Sequence, residues 1–259
     1  MDLQKEIYGK TEQPLESVVQ SYSFTSFFRK IAFVGDSLSS GEFETCDKEG
    51  NRGYHDMYEH SWGQYIARQN GLIAYNFSRG GMSAKQYMQD FAEERGFWNK
   101  DKACQAYVIA LGVNDLLCQG QPIGSADDID VNDYRNNKET FAGFYGQIIS
   151  RYKEISPDSK FFLVTFPKDS AQAAEKLLPM VNLMYDIAEK FENCYVIDLY
   201  KYGPEYDAEF KKNFYLHGHL NPMGYILTAK IIDSYIDYII RHNPKDFENA
   251  GFINSGIPY

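Results

Sequence analysis

Short apolar runs recur along the chain at Lys30 to Val34, Leu72 to Phe77, Ala106 to Leu111, Lys160 to Phe166 and Cys194 to Leu199, each followed by small or turn-forming residues. Runs of this length bounded by turn chemistry predict buried strands. Between them the apolar positions change to three- and four-residue steps, which predicts helices over Ser61 to Gln69, Tyr134 to Ile155, Ser170 to Phe191 and Pro222 to Arg241. In the last of these, Ile226, Ala229, Ile232, Ile236, Ile239 and Ile240 form one stripe, the pattern of a helix lying on a sheet. Strands alternating with helices predict an α/β fold, a central parallel five-stranded sheet with helices on both faces joined by right-handed crossovers.

No repeat, low-complexity tract or Pro/Gly linker divides the 259 residues, so a single domain 1–259 is expected, with its core at about 30–240. The N-terminal extension 1–28 and the C-terminal tail 243–259 fall outside the alternating pattern and are expected to lap over the body. A hydrophobic fraction of 44% with 24% charged residues is that of an ordinary water-soluble protein with material for one large core. The net charge of −10 argues against nucleic acid and against anionic membranes, both of which need a basic surface. Cys46, Cys104, Cys118 and Cys194 are scattered, with no CxxC pair to grip zinc, and read as free thiols. The polar N-terminus lacks the basic and apolar regions of a secretory signal, and no apolar run reaches the roughly 18 residues of a membrane span, so a cytoplasmic location is expected.

In open parallel sheets, chemistry gathers where the strands end and the loops converge. Four segments should meet there: "GDSLSSGE" after the first strand, "SRGGMSA" after the second, "GVNDLL" after the third and "LHGHLNPMGY" before the last helix. They carry Ser37, the pair Gly80 and Gly81, Asn114 and His219. A hydroxyl, open backbone N–H groups, an amide donor and an imidazole are the parts of acyl transfer. A serine hydroxyl is a poor nucleophile until a base takes its proton, and imidazole, with an ordinary pKa of about 6.5, is the side chain closest to working pH. His217 and His219 stand two apart without an HExxH motif or acidic ligand pattern, so no metal is expected, and nothing calls for a cofactor.

Taken together, these segments resemble the conserved blocks of the SGNH (GDSL-type) hydrolases: "GDSLS" with Ser37, "NFSRGG" with Gly81 five residues after Asn76, "GVND" with Asn114, and "HLNPMGY" with His219. One tripeptide match is weak, but four in order across about 30–240 are specific. The resemblance implies a flavodoxin-like three-layer sandwich. It implies that Ser37 attacks an ester carbonyl, that His219 takes its proton, and that the backbone N–H groups of Ser37 and Gly81 with the Asn114 side chain hold the oxyanion. Because the family includes carbohydrate deacetylases, the expected reaction removes a short, acetyl-like group from a carbohydrate or other polar alcohol. A lipase or thioesterase for longer acyl chains and a non-catalytic ligand-binding member are the alternatives. The expected partner is a small-molecule or carbohydrate ester; oligomeric state is not legible.

One position departs from the pattern. The family usually places an aspartate three residues before the histidine, and here that residue is Leu216. A Ser37 and His219 dyad oriented by a main-chain carbonyl is expected, with a carboxylate such as Glu205 or Asp207 as the substitute. Asp36 and Asp115 read as residues that cap and brace the turns, and Asp198 as structural. The insertion "CDKEGNRGYHDMYEH" reads most simply as a solvated charged loop, although Tyr54, His55 and Tyr58 leave open that it walls a cleft.

Overall fold

A computed structural model describes residues 11–172 and 174–248. Its sheet is built from five parallel strands, β1 (Lys30–Gly35), β4 (Ile73–Ser78), β5 (Ala106–Ala110), β6 (Lys160–Val164) and β7 (Cys194–Ile197), in the order β4-β1-β5-β6-β7. All five lie within two residues of the apolar runs that predict them. The register sets Ile31 between Ala74 and Ala106, so β1 is bonded on both edges and buried along its whole length. A strand covered on both faces has no polar face, which is why these strands read as continuous apolar runs.

Alternate residues of each strand feed two cores. Ala32, Val34, Tyr107, Ile109, Phe161 and Leu163 face helices Phe141–Ile155 and Ala174–Glu189. Ile31, Phe33, Val108 and Phe162 face Trp62–Asn70 and Pro222–His242, on which the Ile232, Ile236, Ile239 and Ile240 stripe is buried. The result is the three-layer α/β sandwich that the pattern predicts. The helix expected from Tyr134 begins only at Phe141, because the Thr140 hydroxyl accepts a hydrogen bond from Gly143 N–H at 3.1 Å and caps it there, while Tyr134–Asn136 forms a separate 3₁₀ turn.

Two short hairpins complete the frame. β2 (Glu42–Cys46) pairs antiparallel with β3 (Arg52–Asp56), where the sequence reads as a solvated loop. Its turn is built by Asp47, whose carboxylate accepts from the N–H groups of Glu49 and Asn51. β8 (Tyr215–Leu216) pairs with β9 (His219–Leu220), and His217 in the turn has a φ of 58°. The described part of the N-terminal extension does lie on the body: Ser23 Oγ donates to Asp233 at 2.7 Å, and Glu12 forms a bidentate pair with Arg241. Positions 1–10 and 249–259, including most of the tail, lie outside the described residues. All four cysteines are free thiols, and among the described residues no helix is long and apolar enough to cross a membrane.

Candidate active site

The first loop shows how the chain turns a strand end into a reactive edge. Asp36 leaves β1 with its side chain accepting from Leu38 N–H at 3.1 Å, which starts a single helical turn, Ser37–Ser40, with Ser37 at its head. Gly41 ends that turn in the left-handed region, with φ of 79°, and a Cβ there would lie 2.7 Å from Met57 O. Only glycine allows so abrupt an exit. The chain passes directly into β2, and the period of two along that strand puts Glu42 and Glu44 on one face while Phe43 packs on Tyr225 from the other. Tyr225 OH donates to Glu42 O at 2.7 Å and pins the strand.

Both glutamates reach His219. Glu44 Oε2 lies 3.2 Å from Nδ1 and Glu42 Oε1 lies 3.0 Å from Nε2. Glu44 is almost fully buried, with 1% exposure; its Oε2 also accepts from Gly218 N–H at 2.8 Å, and Arg52 holds its other oxygen at 2.5 Å. Burial pushes the Glu44 carboxyl up, but hydrogen bonds from His219, Gly218 and Arg52 outweigh it and leave the group below its ordinary range. Glu42 has no such company: burial dominates and raises it, against the pull of His219. The Tyr54 ring stands edge-on to the imidazole with centroids 5.9 Å apart, so the insertion does wall the site.

The expectation of a main-chain carbonyl on His219 is therefore overturned, and so are the named substitutes. Asp207 caps helix Ala208–Phe214 by accepting from Phe210 N–H, Asp198 accepts from Lys201 N–H and Tyr185 OH, and no contact joins Glu205, Asp207 or Asp198 to the imidazole among the described residues. The carboxylate comes from the other end of the chain. Leu216, at the family's usual aspartate position, is instead the cross-strand partner of His219 in the second hairpin.

Ser37, Asn114 and His219 line one cavity of about 340 Å³, and the turn that carries Ser37 packs against β9. Asn114 opens the helical turn Asn114–Cys118 after β5; its amide donates to Met82 O at 3.0 Å and points weakly at Asp36 Oδ2, 3.5 Å away. Gly81, expected to share the oxyanion with them, is not among the residues that line that cavity; it is exposed, with φ of 71°. Its neighbour Gly80 touches Glu42 so closely that a Cβ would sit 2.2 Å from Oε2. The Glu42 carboxylate thus spans from His219 to the paired-glycine loop.

Asp36 and Asp115 hold the frame behind these groups. Asp115 accepts from Ala84 N–H with both oxygens, at 2.9 and 3.0 Å, tying the third loop to the second. Burial pushes Asp36 and Asp115 up to about 6, even though backbone N–H groups favour their charged forms. Neither Glu42 nor Glu44 was singled out for the site from sequence. The available signal was the "GEFE" alternation, two acids on one face of a strand directly after the serine turn.

A parallel α/β sandwich with a serine at the end of its first strand and a carboxylate-held histidine ahead of its last helix carries the groups that acyl transfer uses, and the class it falls in is that of ester hydrolases. The profile of the GDSL-like Lipase/Acylhydrolase family matches residues 33–227, and the chain belongs to that family, which makes it a carboxylic ester hydrolase. No curated protein matches it in sequence. Among solved structures it is similar to a family two carbohydrate esterase from Clostridium thermocellum in complex with cellohexaose, at TM-score 0.56 and 16% identity over 91% of this chain and 67% of that one. It is also similar to a carbohydrate esterase family 2 enzyme with a carbohydrate-binding domain from Corynascus thermopiles (Myceliophthora fergusii), at TM-score 0.55 and 16% identity over 88% and 69%. The chain spans about two thirds of the length of those esterases.

Proposed function

We propose that this chain hydrolyses short acyl esters, acetyl-like groups on a carbohydrate or other polar alcohol, through an acyl-enzyme on Ser37. The reading rests on one observation above the others: His219 shares a cavity with Ser37 and has a buried carboxylate at its Nδ1. With Nδ1–H donated to Glu44, Nε2 keeps a lone pair for the Ser37 proton. Ser37 Oγ adds to the ester carbonyl as Nε2 takes that proton. Nε2 then returns it to the departing alcohol oxygen, and water repeats the sequence on the acyl-serine. The Ser37 and Gly81 N–H groups and the Asn114 amide are the proposed oxyanion donors, each worth about 2.7–4 kcal/mol in the transition state.

Glu42 belongs to the resting arrangement of this mechanism. Its carboxylate lies 3.0 Å from Nε2, the nitrogen that the Ser37 proton must reach, and burial raises that carboxyl above its ordinary range. Nε2 exchanges Glu42 for Ser37 before attack. The short-acyl and carbohydrate assignment is supported by the modest cavity and by the names of the carbohydrate esterases that the fold is similar to. A fluorophosphonate probe and acetyl release from 4-nitrophenyl acetate and acetylated sugars test the reading. Wild type should react in both assays, Ser37→Ala in neither, and hydrolysis should fall steeply from acetyl to long acyl esters. Labelling of Ser37→Ala at wild-type strength overturns it.

A further inference from the structure

A second cavity, of about 490 Å³, lies beside the paired-glycine loop and is walled by Arg79, Arg95, Lys102, Asp56, Phe91 and Ser78, among others. Its position ties it to the site. Arg79 immediately precedes Gly80, which touches Glu42, and Asp56 is the cross-strand partner of Glu42. The two guanidinium groups converge on one ring: Arg79 Cζ stands 4.5 Å and Arg95 Cζ 5.7 Å from the Phe91 centroid. Lys102 lies over the Phe97 ring at 5.4 Å and donates to Arg95 O at 2.6 Å.

The chain has 36 acidic residues against 26 basic ones, so surface cations have carboxylates available. Elsewhere they use them, as Arg52 does with Glu44, Arg135 with Asp133, Lys138 with Asp128 and Lys211 with Asp169. Among the described residues no ion pair joins a carboxylate to Arg79, Arg95 or Lys102; the one carboxylate on the wall, Asp56, accepts from Ser40 Oγ instead. Gathering three cations around a single carboxylate that pairs with none of them costs Coulomb energy, and stacking on an aromatic face orients a guanidinium edge for a bidentate oxyanion.

We propose that this cavity is an anion subsite, and that the ester this enzyme cleaves carries a carboxylate or phosphate held by Arg79 and Arg95. The proposal rests on the ester-hydrolase reading and narrows its substrate to acylated acidic carbohydrates or comparable acidic alcohols. Recognition is a binding effect remote from the reacting carbonyl, so it enters KM more than kcat.

The test compares kcat/KM for acetyl esters of methyl glucoside, glucuronate and glucose 6-phosphate on the wild type, Arg79→Gln, Arg95→Gln and Arg79→Lys, each checked for an unchanged melting temperature. Wild type should prefer at least one acidic ester over the neutral one by about tenfold or more, mainly through KM, with the preference shrinking as salt rises. Each glutamine variant should cut that preference about tenfold, and Arg79→Lys, which keeps the charge and loses the fork, should retain part of it. The glucuronate and phosphate arms show which oxyanion the subsite takes. Equal kcat/KM on all three esters, or a preference unchanged in both glutamine variants, overturns the subsite. If wild type turns over no ester, the catalytic reading has failed and the subsite is judged by calorimetry: glucuronate or glucose 6-phosphate must bind wild type more tightly than Arg79→Gln, and equal or absent binding overturns it.

Discussion

Replacing Glu44 with glutamine keeps the side chain's volume and removes its charge. In the native site that carboxylate is shared three ways, with His219 Nδ1 at 3.2 Å, Gly218 N–H at 2.8 Å and Arg52 at 2.5 Å. An amide can still accept from Gly218, but it cannot stabilise the imidazolium that the proposed attack by Ser37 generates, and it permits the wrong ring tautomer. Loss of a triad carboxylate costs up to about 10⁴ in rate. Arg52 already draws on the Glu44 charge and the contact to Nδ1 is on the long side, so we expect about 10³, close to 4 kcal/mol of transition-state stabilisation. The assay is kcat/KM on 4-nitrophenyl acetate, with melting temperature as the control for folding. Asp198→Ala and Asp207→Ala should lose helix caps, at roughly 1 kcal/mol of stability each, with little change in turnover. Leu216→Asp in the Glu44→Gln background should restore part of the rate, because Leu216 is opposite His219 in the hairpin. Full wild-type turnover by a folded Glu44→Gln protein, with His219→Ala still inactive, would refute the assignment of Glu44.

Two further outcomes follow from the carboxyl groups around Ser37. Glu42→Ala vacates the contact at Nε2 while leaving the backbone pairing of β2 in place, so fluorophosphonate labelling of Ser37 should become a few-fold faster at neutral pH; slower labelling of a folded variant removes Glu42 from the resting-state role. Asp36 has a native pKa raised to about 6 from an ordinary 3.8, so the native state binds the proton more tightly and this residue's contribution falls as pH rises from about 4 to about 6. Asp36→Asn does not titrate. Its stability relative to wild type in urea should therefore improve by about 2.4 kcal/mol between pH 4 and pH 7, and a flat difference across that range contradicts the burial argument.

The sheet was legible from sequence because burial on both faces leaves no room for polar residues in a central strand: Ile31 and Phe33 serve one core while Ala32 and Val34 serve the other, and the run is apolar throughout. The serine turn was legible for a local reason, since an Asp cap, a serine and a glycine exit are all specified within seven residues of one another. Ser37, Asn114 and His219 could be assigned to one rim because the parallel topology carries every strand's end to the same edge.

What orients His219 had no local signature. Glu44 and His219 are 175 residues apart, and they meet only because two hairpins, each too short to stand alone, close against each other over the strand ends. From sequence, "EFETCDKEGNRGYHD" is a polar stretch in which alternation and a solvated loop look alike. Its period of two acquires meaning once Phe43 has Tyr225 to pack against and Glu44 has Gly218, Arg52 and His219 to satisfy its buried oxygens. The local chain determined the strands, the caps and the serine turn, whose physics acts over a few residues. Tertiary structure alone decided which carboxylate would lose its water beside the imidazole, because desolvation depends on everything packed around a group and not on its neighbours in sequence.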